Sequence, residues 1–276
     1  NKLRQAVLQE AIEGKLTAEW RKQNHNLING DNHASKLLEK IKAEKERLIK
    51  EGKIKKDNPL APITDAEKPF ELPEGWVWCR LGEIANLITK GSSPNWQGIR
   101  YIERGAGIRF ITSKNVAAHK IDLTDESFVE ERFNQIEPRS ILQYGDILTN
   151  IVGASIGRTA LYALNDIANI NQAVCLIRIT TTLLDKTFLL HWMNSPWLIA
   201  KMHEDEFAPG RANLSMSNVA NFLLPLSPLA EQRAIIDCVD TLMVMIDELE
   251  KQVSERKDQA EMLMQSVLRE AFAGNK

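Results

Sequence analysis

Toward the C-terminus apolar residues recur at steps of four and three: Ile235, Val239, Leu242, Ile246, Leu249 and Val253, then, past Arg256, Ala260, Leu263 and Val267. That spacing predicts one long helix with a coiled-coil seam. Ser227 and Pro228 supply an N-cap and a proline at the first helical position, Glu231 puts an acid in the first turn, and neither Gly nor Pro interrupts residues 229–273. At 1.5 Å per residue the helix would be roughly 65–70 Å long. A globular core rarely needs such length, so the expected role is a spacer; the alternative is a helix lying lengthwise on its own domain. Arg256 at a seam position marks a local gap or a polar register device.

The two ends of the chain resemble each other. Residues 3–14, LRQAVLQEAIEG, align without gaps on residues 263–274, LMQSVLREAFAG, with seven of twelve positions identical. Both copies end in glycine, which suits the residue just past a helix. We read them as one helical element repeated on either side of a globular domain.

Residues 35–56 form a second helical pattern starting at Ser35, with nine basic and four acidic residues, and it fades near Gly52. It reads as a solvated helix with Glu–Lys pairs, or as a phosphate-facing strip. Pro59, Pro62, Pro69 and Pro73 then mark an extended linker. Beyond Trp76 the texture changes to short apolar or β-branched runs at 77–81, 109–111, 147–152, 159–163, 174–179 and 222–226, punctuated by glycines. Helical pattern there is confined to 183–194 and 196–206. The expected fold is α+β, with one globular domain of short strands and loops plus long coiled-coil-forming helices. Its divisions are 1–24, the end of a spacer helix; 25–71, the basic helix and linker; 72–226, the globular domain; and 227–276, the long spacer helix.

Charge qualifies this picture. The net −2 divides into +3 for residues 1–71, −1 for 72–226 and −4 for 227–276. The globular part therefore lacks the bulk basic footprint of many DNA binders. Cys79, Cys175 and Cys238 fit no metal spacing and suit a reducing cytoplasm. No stretch approaches the ~18 apolar residues of a membrane span, so a cytoplasmic protein is expected. The sequence opens at Asn1 rather than Met, as a fragment or a processed chain would.

Catalytic patterns are missing. Asn194-Ser-Pro-Trp197 is the nearest approach to an amino-methyltransferase loop, but its second residue is Ser, and Gly105-Ala-Gly107 lacks the third glycine of a cofactor turn. His191 lies in an apolar helix beside Trp192 and reads as a packed histidine. What remains is a set of loops joining a base or amide to small residues: 89–96, TKGSSPNW; 112–115, TSKN; 169–172, NINQ; and 209–215, PGRANLS. Arg and Lys suit guanine edges, and Asn and Gln suit adenine; Ser and Thr hold phosphates. The same residues also build ordinary turns. The candidate DNA-binding residues are Lys90, Ser92, Lys114, Asn115, Asn171, Gln172, Arg211, Asn213 and Ser215. No metal site or cofactor is expected.

Together these segments resemble a family. Residues 72–84, LPEGWVWCRLGEI, look like the opening of a target-recognition domain of type I restriction–modification specificity subunits. Residues 109–116, RFITSKNV, 145–150, GDILTN, 153–157, GASIG, and 171–173, NQA, are similar to its internal motifs. Residues 224–236, LPLSPLAEQRAII, resemble the entry into its spacer helix, and residues 3–16 its exit. The resemblance implies a non-catalytic subunit with two recognition domains, each reading half of a bipartite site in double-stranded DNA. Antiparallel helices hold those domains apart and dock methylation subunits, which bring restriction and motor subunits. This chain carries one such domain, so a second is expected in cis or from a homodimer through the long helices, the latter reading a palindromic site. Two competing readings are a DNA methyltransferase, which binding of S-adenosylmethionine would favour, and a coiled-coil scaffold with no nucleic-acid role.

Overall fold

The computed structural model describes residues 2–56, 58–206 and 213–273. In chain order the elements are α1 (Lys2–Ile12), α2 (Ala18–Gln23), α3 (Ala34–Lys50), β1 (Val77–Arg80), α4 (Leu81–Ile84), β2 (Leu87–Lys90), β3 (Tyr101–Ile102), β4 (Ile108–Ile111), β5 (Ser127–Val129) and α5 (Arg132–Ile136). There follow β6 (Asp146–Asn150), β7 (Thr159–Tyr162), β8 (Ala168–Ile170), β9 (Val174–Arg178), α6 (Lys186–Met193), α7 (Pro196–Glu206), α8 (Met216–Asn221), β10 (Leu223–Leu226) and α9 (Leu229–Ala273). The fold is α+β, as the pattern predicted.

Two four-stranded sheets stack. One runs β2-β9-β6-β7, antiparallel throughout; the other runs β3-β5-β4-β8, with β4 and β8 parallel. Alternation along β6 and β9 explains the layering. Ile147, Cys175 and Ile177 face a helical layer with Val7, Leu8, Ile12, Trp192 and Ile235 in one core. Leu148, Val174 and Leu176 point the other way, into a second core with Ile111, Ile170 and Tyr162. Every residue of β6 is buried because both of its faces are covered. A third cluster of Ile99, Ile108, Phe110, Val129 and Phe133 lies where the second sheet meets α5.

The ends of the domain close on each other: β1 pairs antiparallel with β10, Val77 opposite Leu226. The linker is strapped down rather than loose. Arg80, 4% exposed, donates to the carbonyls of Ala61, Pro62 and Asn221 and to the Glu67 carboxylate. The basic helix α3 buries Ala34, Leu37 and Ile41, pairs Lys36 with Glu39 and Arg47 with Glu51, and turns Lys42 to Glu83 and Lys45 to the Gly82 carbonyl of α4.

Three expectations need correction. Residues 169 and 170 belong to strand β8 rather than a loop, since they pair with Phe110 and Ile111 and are fully buried. Thr89 and Lys90 likewise close strand β2, opposite Leu176 and Cys175. The long helix is both packed and free. Ile235, Val239 and Ile246 are buried, whereas Leu249, Val253, Leu263 and Val267 are each more than half exposed. The seam thus leaves the domain between residues 246 and 249. None of the helices searched among the described residues is long and apolar enough to cross a membrane.

His191 is 6% exposed, and neither ring nitrogen has a hydrogen-bond partner among the described residues. Burial first, then the neighbouring His119, pushes its pKa down to about 4 against the opposing charge of Asp185, and the Asp240 carboxylate lies 3.8 Å from Nε2. The fold therefore holds the neutral ring, whereas the unfolded chain protonates it near 6.5. The resulting stability is complete above pH 6.5 and lost as pH falls from there toward 4, on the order of 3 kcal/mol in all. Denaturant unfolding of the parent and His191→Leu across that range should show the steeper slope in the parent, since His119, whose pKa burial also lowers, titrates in both. Equal slopes would rule out His191 as its source.

Candidate nucleic-acid interface

Strand direction gathers the predicted loops. The last residue of β2, Lys90, sits opposite Cys175, and the last of β6, Asn150, sits opposite Val174, so both strands end where β9 begins. Parallel pairing of β4 and β8 brings Ile111 beside Ile170 at the same end. Five segments of the described residues meet there: 90–92, 112–116, 151–158, 171–173 and 213–215.

Backbone contacts lock them together. Asn171 N–H donates to the Ile111 carbonyl at 3.0 Å, and Ile151 N–H donates to Ala173 at 3.0 Å. Leu214 N–H donates to Ile151 at 3.1 Å, and Asn213 forms a β-bridge with Val152. The Asn150 amide, fully buried, donates to the carbonyls of Ser113 at 2.9 Å and Val116 at 3.2 Å. Gly91 passes so close to residues 170 and 171 that a Cβ there would lie 1.8 Å from the Ile170 carbonyl oxygen.

The candidate residues then fall into different roles. Lys90 is exposed and forms no ion pair with any described residue. Lys114 is exposed and pairs with the equally open Asp125 at 3.1 Å; such a surface pair contributes little and a phosphate could displace it. Asn213 is exposed, and Gln172 and Asn171 are half-buried. The Asn171 side-chain carbonyl accepts from Ala173 N–H at 3.1 Å, closing the turn. Ser92 accepts from Gln97 at 3.2 Å.

Two candidates serve the loops themselves. Asn115 is 1% exposed; its carbonyl accepts from the N–H and hydroxyl of Thr112, and its amide donates to the carbonyls of Asp122 and Asp125. All its capacity for hydrogen bonds is used inside the loop. Ser215 caps α8, its hydroxyl accepting from Asn218 N–H at 3.1 Å. Arg211 lies outside the described residues.

Sequence reasoning passed over several residues. Arg158 and Lys120 stand exposed on the loops beside Thr159, where His119 N–H donates to the Thr159 carbonyl at 2.8 Å. Trp96, on the loop that leaves Lys90, is 81% exposed. The glycines at 153 and 157 signalled a turn at Arg158, but nothing in the pattern showed which side chains would face outward. Arg109, by contrast, is turned inward: Glu126 and Asp166 neutralise it and Phe128 lies under its guanidinium.

A family model for the type I restriction modification DNA specificity domain matches residues 73–256. The EcoAI type I restriction enzyme specificity subunit of Escherichia coli is 32% identical, over 98% of this chain and 44% of its own length. The EcoEI specificity subunit of Escherichia coli is 51% identical over a shorter stretch, 33% of this chain and 14% of that protein. This chain thus spans under half the length of those relatives. Among solved structures, the HsdS subunit from Thermoanaerobacter tengcongensis superposes with TM-score 0.54 at 22% identity, covering 98% of this chain and 59% of that one. A chain from a structure on complex assembly and conformational transition of the type I R-M system gives TM-score 0.56 at 21% identity, covering 96% and 58%. These likenesses show a shared fold, and the matched domain spans most of the sequence; the chain belongs to the type I restriction modification DNA specificity domain family.

Proposed function

We propose that this chain is a DNA-reading unit of a type I restriction–modification specificity subunit and carries no catalytic centre of its own. One observation carries the reading: segments scattered from Lys90 to Ser215 meet on one rim, where exposed cations stand beside amide side chains. Lys90 and Lys114 are suited to phosphates or guanine, and Asn171, Gln172 and Asn213 to base edges. Asn115, Ser215 and Ser92 shape the loops that present them. The relatives' shared description as specificity subunits supports the same role.

The free half of α9 supplies the other part. α1 buries Val7, Leu8 and Ile12 against α6, α7 and the first half of α9. The repeat places Val267, Leu268 and Phe272 at the equivalent positions, and all three are exposed. In this reading that end of α9 pairs with a second recognition unit, in cis or in a second copy, and the helices dock methylation subunits that recruit restriction subunits. A homodimer would read a palindromic bipartite site.

Selection from randomised duplex DNA, with the chain alone and then with its methylation subunits at fixed salt, tests the proposal. Enrichment of a short motif, single or repeated at fixed spacing, is expected; no enrichment in either condition leaves a helical scaffold as the better account. On the selected duplex, Arg211→Ala should cost about 1–3 kcal/mol and relax one base pair, while Lys90→Ala should weaken all sequences alike and lower the salt slope by about 1. Uniform weakening by Arg211→Ala would reassign it to a phosphate.

A further inference from the structure

Trp96 is the one fully solvent-facing tryptophan of six; the other five are buried or half-buried. An indole that large is usually covered; one exposed apolar side chain by itself is ordinary, so what singles Trp96 out is its support and the charges around it. The support here is rigid. Residues Pro94–Gln97 form a 3-10 turn whose Pro94 is buried. The Ile99 N–H donates to the Pro94 carbonyl at 3.0 Å, and Ile99 itself is 2% exposed in the cluster with Phe110 and Phe133. The Gln97 amide donates to Ser92 at 3.2 Å and to Glu137 at 3.0 Å. Gly98, at φ +67°, closes the turn, and Arg132 donates to its carbonyl at 3.1 Å. The backbone on both sides of Trp96 is tied down, and the indole is turned out.

The cations beside the turn suit a polyanion, although Glu137, Glu131 and Glu103 stand on its other side. Lys90 before the turn and Arg100 after it are exposed, and neither forms an ion pair with a described residue. Resting on the reading of the rim as a DNA interface, we propose that Trp96 is a stacking wedge. Its indole enters a base step of the bound duplex, while Lys90 and Arg100 hold the phosphates on either side. Apolar wedges that part base steps work in this way, and any base offers the π face such contact needs.

The test uses the full chain, alone and with its methylation subunits, on a duplex selected from a random pool. Trp96→Ala should weaken binding roughly 5- to 100-fold, and Trp96→Phe should recover most of the loss. The salt slope should stay unchanged, since no phosphate contact is removed. 2-Aminopurine placed along the site should brighten at one step with the parent and stay dark with Trp96→Ala. Parent affinity in Trp96→Ala, with no bright step for the parent, overturns the wedge and leaves the DNA reading standing. Burial of Trp96 by an added methylation subunit, with DNA affinity unaffected, overturns it in favour of a protein contact. Failure of the parent to bind any duplex overturns both.

Discussion

Glu231→Ala is expected to cost the folded chain about 3–5 kcal/mol, the range seen when one partner of a buried charge pair is removed. The Glu231 carboxylate has no solvent exposure and holds three elements together. It accepts from the Thr17 hydroxyl and the Trp76 indole N–H, each at 2.7 Å, and pairs with Arg21. Its loss would strand a guanidinium that is only 13% exposed, together with a buried indole donor. Gln232 beside it donates to the Ser227 carbonyl and accepts from Asp185 N–H, anchoring the first turn of α9 to the start of α6. The pair explains why Pro-Leu-Ala-Glu-Gln-Arg opens the long helix: Glu231 and Gln232 fix its first turn to the domain. Urea unfolding of Glu231→Ala and Glu231→Gln checks this, with Gln expected to retain part of the stability by keeping an acceptor. A loss under about 1 kcal/mol for Ala would show that the carboxylate is not a keystone.

Gly91→Ala is expected to destabilise by about 3 kcal/mol or more, at or above the usual cost of overpacking, and to weaken DNA binding with it. The added Cβ would stand 1.8 Å from the Ile170 carbonyl oxygen and 2.7 Å from that of Asn171. Both obstacles are backbone, and the Ile170 side of the clash belongs to a buried parallel strand. The loop bearing Lys90 would have to move off the rim. Gly52→Ala, at the end of α3 and away from the rim, is the control. That glycine has φ +71° but nothing within 4 Å of a Cβ, so the cost reduces to the left-handed backbone, about 1–2 kcal/mol. Thermal midpoints and duplex affinities of the two variants should therefore separate. Similar small effects would mean the rim tolerates displacement of its first loop.

The strands that sequence reasoning missed are short, and their interior logic is not local. β8 contains Asn169, an unpromising strand residue. It fits because its amide donates to Asn134 and to the Glu137 carbonyl, partners more than thirty positions earlier in the chain. Asn115 shows the same limit from the functional side. An amide that could read adenine can equally close a turn, and only burial tells which it does.

The sequence by itself determined the long helix, the proline-initiated α7 and the family, because periodicity, proline placement and motifs are properties of neighbouring residues. The expected cap was not among them, for α9 begins at Leu229 and the Ser227 hydroxyl is buried with no partner among the described residues. The sequence also marked which loops carried bases and amides. The tertiary structure decided that those loops form one rim, that Asn115 and Ser215 serve the loops, that Trp96 faces outward and that the helix seam divides near residue 246. Each of those depends on pairings between distant segments, β2 with β9, β4 with β8, α1 with α9. Which side of a residue such pairings cover is fixed by the packed whole, and no local pattern records it.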